Sequence, residues 1–114
     1  MNKHHSANPS KEAFCHTVGE VLERGYSIIG TELKALGVSY GYQESAAGLM
    51  MWDISLRESL EFRGVALAIV KYKGRSIYYD ENADNVASSI SDSERQIDEA
   101  YRNARKDRLH EDAR

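Results

Sequence analysis

Gly37-Val38-Ser39-Tyr40-Gly41 matches the G-x-S-x-G arrangement, in which a sharp turn exposes a serine hydroxyl to a histidine base. Asp53 and His110 follow in an order that would complete a hydrolase triad. The context runs the wrong way, however. Apolar spacing puts a helix before the motif and a strand after it, whereas the nucleophile elbow leads from strand to helix. The 114 residues are also too few for the hydrolase fold that uses it. The motif therefore reads as a helix cap followed by a strand, and the chain as non-enzymatic.

Asp80-Glu81-Asn82-Ala83-Asp84-Asn85 supplies oxygen ligands at alternate positions, as the first half of a calcium loop does. Asn85 stands where that loop needs glycine, Ser91 where it needs a bidentate glutamate, and a strand leads in where a helix should. A plain acidic turn before a helix accounts for the same residues. Cys15 and His16 are adjacent, so on a helix they point about 100° apart and do not form a nucleophile and base pair. His4 and His5 lie in a polar N-terminal stretch without a four-ligand set, and His110 lies near a helix C-terminus, which favours its charged form. The expectation is a protein without metal or cofactor.

Charge is distributed unevenly along the chain. Residues 57–79 carry Arg57, Arg63, Lys71, Lys73 and Arg75 against Glu58 and Glu61, whereas residues 80–94 carry Asp80, Glu81, Asp84, Asp92 and Glu94 with no base. Lys71, Lys73 and Arg75 share one turn with Tyr72, Tyr78 and Tyr79 nearby, a pattern able to hold phosphates while tyrosines stack on bases. Lysines at a hairpin tip also discourage strand-to-strand aggregation without any ligand.

The elements that would position these residues follow from periodicity. Residues 1–9 hold the only proline and read as a disordered tail ending at Ser10, an N-cap. Phe14, Val18, Val21, Leu22, Ile29, Leu33 and Leu36 recur at helical steps up to Gly37, with a break near Gly25 as the alternative. From Val38 the period becomes two, giving a strand through Tyr40 and Tyr42 and another over Leu49–Arg57. A loop at Glu58-Ser59-Leu60 would then pair Leu56 with Phe62 and Trp52 with Ala66. Val65–Val70 is apolar on both faces and reads as the central strand, with Ile69 critical to the fold and one face covered by a partner or another part of the chain. Lys73-Gly74 makes the next turn, and Ile77-Tyr78-Tyr79 the last strand. Ser91-Asp92-Ser93-Glu94 is a capping box that starts a C-terminal helix with a thin apolar stripe and a polar, fraying end. The predicted fold class is α+β: an N-terminal helix, an antiparallel β-meander of about four strands and a C-terminal helix, in one domain over 10–114.

Composition narrows the setting. A net charge of −3 favours no polyanion over the whole surface, and a single cysteine excludes an internal disulfide. No apolar run reaches membrane-spanning length and no secretory signal is legible, so a cytoplasmic protein without membrane contact is expected. Met50, Met51, Trp52, Tyr40 and Tyr42 exceed what two helices of modest apolar width should cover, and such residues are enriched at interfaces. The functional expectation is a small binding protein, an adaptor or inhibitor. It would dock its sheet and hairpin on a protein partner or on its own copy as a homodimer, through Lys71, Tyr72, Lys73, Arg75, Tyr78, Met51 and Trp52. The alternative is nucleic-acid binding through the basic turn.

Overall fold

The computed structural model describes residues 10–112, with side chains to Arg105. The readings of residues 1–9, including His4 and His5, and of the side chains at the polar end of the last helix, including His110, lie outside the described residues. The class is α+β, with five α-helices and one antiparallel sheet of three strands instead of four among the described residues.

The N-terminal helical stretch is two helices. Helix α1 (Lys11–Glu23) ends at Gly25, whose φ of +92° is the left-handed conformation that closes a helix most cheaply when there is no Cβ. The N–H groups of Gly25 and Tyr26 reach back to the carbonyls of Leu22 and Val21. Strand β1 (Ile28–Ile29) follows, then helix α2 (Gly30–Ser39), where the Glu32 carboxylate accepts the Ile29 N–H at 3.2 Å. The strand expected over Val38–Tyr42 is instead the end of α2 and a turn at Gly41. Tyr40 and Tyr42 converge on one ring, meeting Phe14 edge-on at 6.1 and 5.8 Å. Alternation here reflects two tyrosines reaching the same core residue from either side of a turn.

Helix α3 (Glu44–Ala47), a 3-10 turn (Met50–Trp52) and helix α4 (Ile54–Phe62) replace the predicted strand over 49–57 and its hairpin. Asp53 is the N-cap of α4, its side chain accepting the Leu56 N–H at 3.1 Å. Leu56 and Leu60, four apart, bury one face, while Ile54 and Phe62 point outward. The alternation Met50, Trp52, Ile54, Leu56 does not match burial, because Met50, Met51 and Leu56 are buried and Trp52 and Ile54 are exposed.

Strands β2 (Leu67–Tyr72) and β3 (Arg75–Asp80) form the expected hairpin, with Ile69 opposite Tyr78 and Tyr72 opposite Arg75. Sheet order is β1-β3-β2, so β3 is central and β2 lies at the edge. This corrects the central position expected for β2: β1, from the first helical stretch, pairs through Ile28–Tyr78 and Ile29–Ile77 with the far side of β3. One sheet face carries Ile28, Tyr78 and Leu67 onto the core built by Phe14, Val18, Leu22, Leu33, Met51, Leu56 and Leu60. The other carries Ile29, Ile77, Val70 and Tyr72 against Ile97 and Ile90 of helix α5 (Val86–Asp112). The second cover that two apolar faces demand is thus supplied by the chain itself. Helix α5 begins at Val86, ahead of the Ser91 capping box. Ser93 is buried in its interior, sharing a 2.6 Å hydrogen bond with Ser27, whose hydroxyl also donates to the Ser89 carbonyl. No helix among the described residues is long and apolar enough to cross a membrane.

Candidate interaction surfaces

The hairpin tip owes its shape to Lys73 and Gly74, both at positive φ (51° and 79°), the type I′ geometry whose twist matches the strands. That tip lays its side chains on α5. The Lys73 ammonium meets the Asp98 carboxylate at 2.5 Å and the Tyr72 hydroxyl donates to the same carboxylate at 3.0 Å. The Tyr101 hydroxyl donates to the Lys73 carbonyl at 3.1 Å, and the Arg75 guanidinium lies 5.6 Å from the Tyr101 ring centre. Lys73 holds the Asp98 carboxyl below its ordinary range, with help from Tyr72 and against desolvation. Reciprocally, Asp98 raises the Lys73 and Tyr72 pKa values. Tyr72, Lys73 and Arg75 are therefore brought together, as the sequence suggested, but they clamp hairpin to helix. Lys71 stands apart, exposed on the opposite sheet face.

The remaining expected contact residues divide. Tyr78 and Met51 lie in the core, so neither presents its side chain to a partner in this fold. Trp52 is 61% exposed, with Arg57 over its ring at 5.1 Å and the Arg57 Nε donating to the Met51 carbonyl. Leu49 and Ile54, both more than half exposed, flank it.

The feature that sequence reading missed is the outer edge of β2. A two-residue turn makes Tyr72 and Arg75 a hydrogen-bonded pair, so Ala68, Val70 and Tyr72 direct their backbone groups at β3. The Ala66 carbonyl, in the same phase, accepts the Glu81 N–H at 2.9 Å. Leu67, Ile69 and Lys71 consequently point their N–H and C=O groups away from the sheet, and no hydrogen bond to them is formed among the described residues. Ile69 is 38% exposed, and Phe62, at the end of α4 just before this strand, is 94% exposed. The signal was present as an apolar run with a single charge, but it resembled that of a central strand.

The chemical motifs resolve into local structure. Ser39 donates its hydroxyl to the Leu36 carbonyl at 2.6 Å, at the end of a helix. Asp53, besides capping α4, pairs with Lys11 at 3.1 Å. Burial pushes the Asp53 carboxyl up, but the Leu56 N–H and the Lys11 ammonium together hold it below its ordinary value. Cys15 is buried, which raises its thiol pKa, while the His16 ring accepts from Arg63 at 2.8 Å through Nδ1. Asp80 directs Oδ1 at the Ala66 and Asn82 N–H groups, both at 2.9 Å, fixing the turn after β3. Comparison with protein-family models, curated proteins and solved structures found no match to this chain.

Proposed function

We propose that this chain is a non-enzymatic binding protein, an adaptor or inhibitor, that engages a protein partner by strand addition at the outer edge of β2. The carrying observation is the row of outward N–H and C=O groups on Leu67, Ile69 and Lys71, with the Ile69 side chain exposed on the same strand. Strand addition draws affinity from main-chain hydrogen bonds and selectivity from alternate side chains, and this edge offers both. Natural sheets blunt their edges with proline, bulges or several charges, whereas Leu67-Ala68-Ile69-Val70 carries none of these and only Lys71 follows. Nucleic-acid binding through the turn has less support, because Asp98 neutralises Lys73, and the Tyr72 and Tyr101 hydroxyls are engaged within the molecule. A cytoplasmic setting belongs to the same reading.

Ile69→Pro provides the test, since it removes an outward N–H without touching the ladder to β3. Immobilised wild-type chain should retain a protein from an extract of the source cells, and the proline variant, shown to be folded by circular dichroism, should lose it. Equal retention by both, or retention by neither of any other protein or of a tagged second copy, would overturn strand addition.

A further inference from the structure

The occupant of the β2 edge can be named from the charges at its two ends, a step that rests on the strand-addition reading above. We infer that it is the β2 strand of a second copy, paired antiparallel with Ile69 on the two-fold axis. Because Leu67, Ile69 and Lys71 are the outward-bonding residues, a dyad through Ile69 matches them in phase: Ile69 faces its own copy, and Leu67 faces Lys71 of the partner. Each N–H of one strand then meets a C=O of the other. No like charges face each other, since the only charged residue of the three lies opposite a leucine.

The ends of the hairpin select this direction. With Lys73 neutralised by Asp98, Lys71 and Arg75 leave the turn end basic, while Glu81 and Asp84, both exposed, stand at the open end beyond β3. Antiparallel joining lays the basic end of one copy beside the acidic end of the other, twice. Parallel joining would bring like beside like. Closure follows from the opposite edge of the sheet. There β1 is two residues long and runs straight into α2 at Gly30, so it offers no second edge of comparable length. The two three-stranded sheets fuse into one with order β1-β3-β2-β2-β3-β1, a closed two-fold pair and not an open fibre. Across the joint the exposed Ile69 side chains cover each other, and Ala68 faces Val70 on the side of α5.

Light scattering on the full chain between 1 and 100 μM, with hydrogen exchange at both limits, decides the matter. A dimer should form, with the Leu67, Ile69 and Lys71 amides protected only at the higher concentration. The Ala68, Val70 and Tyr72 amides, bonded to β3, should be protected at both. Ile69→Lys, which sets two ammonium groups face to face on the axis, should weaken the dimer at least about tenfold while its thermal unfolding remains cooperative. A wild-type chain that is monomeric at 100 μM would overturn the self-pairing, as would a dimer whose Leu67, Ile69 and Lys71 amides stay unprotected. The exchange measurement needs no variant, so a misfolded Ile69→Lys does not leave the question open. Self-pairing can fail while Ile69→Pro still abolishes capture of another protein, so the two readings fall separately.

Discussion

At the scale of single residues, the partly buried polar groups of this protein hold elements together. Asp53 serves both as a helix cap and as an ion-pair partner of Lys11, and Asp98 collects a hydroxyl and an ammonium from the hairpin tip. Tyr42 is the exception. Its hydroxyl is buried without a hydrogen-bond partner among the described residues, and burial pushes its pKa up. A buried hydroxyl stripped of water and unpaired costs about 1–3 kcal/mol, whereas the ring itself contributes an edge contact to Phe14. Tyr42→Phe should therefore leave the fold unchanged and raise stability by about 1 kcal/mol, read as a higher urea midpoint at unchanged slope. A fall in the midpoint would mean that the hydroxyl has a partner after all. Sequence could place Tyr42 near the core but could not show this. Whether a hydroxyl finds an acceptor depends on which carbonyls the tertiary fold brings within 3 Å, and periodicity carries no such information.

At the scale of elements, the hairpin and the C-terminal helix were legible, and the segment between residues 38 and 62 was not. The hairpin turn announced itself because Lys73-Gly74 sits between two β-rich runs, where only a glycine-containing turn of that length fits. In residues 49–57, Met50, Trp52, Ile54 and Leu56 produced an alternation over seven positions, too short to separate a strand from a 3-10 turn entering a capped helix. The informative residue was Asp53, a cap signal followed at the third and seventh positions by Leu56 and Leu60. Burial in the sheet was misassigned for a related reason. Val65–Val70 is the more hydrophobic run, yet β3 is central, because Ile28–Ile29 finds its pairing partner there. The consequence is a contrast between two isoleucines. Ile77, fully buried between β1 and β2, should cost about 2–5 kcal/mol on truncation to alanine. Ile69→Ala at the edge should cost clearly less, with the chain dilute enough to be monomeric. Thermal or denaturant unfolding of the two variants side by side measures the difference, and equal losses would restore β2 to the centre of the sheet.

At the scale of the whole molecule, among the exposed ion pairs that join segments far apart in sequence, Lys11–Asp53 ties α1 to the start of α4, and Lys73–Asp98 ties the hairpin to α5. Each is weak singly and screened by salt. Their pH dependence nevertheless has a definite sign. Asp53 and Asp98 have folded pKa values below 3.8, so their contribution is present above that value and is lost as pH falls through the lower folded one. Lys11 and Lys73 have folded values above 10.5, so the same ties contribute below 10.5 and are lost as pH rises through the higher folded ones. Tyr72, raised above 10.0 by Asp98, adds to the alkaline loss. These ties should thus contribute steadily between about pH 5 and 9 and fade outside it. Asp98→Asn isolates one of them: it removes the charge while keeping the shape and an acceptor oxygen for Tyr72. The Tm of the wild type should exceed that of the variant by a constant amount from about pH 5 to 9, and the gap should close in acid as Asp98 is protonated. Added salt at neutral pH should narrow it as well. A gap that neither acid nor salt changes would show that Asp98 holds the hairpin to α5 by hydrogen bonding and shape, with its charge contributing nothing. Because the hairpin carries the open edge, the same variant links stability to binding. If α5 keeps β2 in register, loosening this clamp should also speed exchange at the Ala68, Val70 and Tyr72 amides, while the Ile28–Tyr78 pairing on the other side of β3 stays protected.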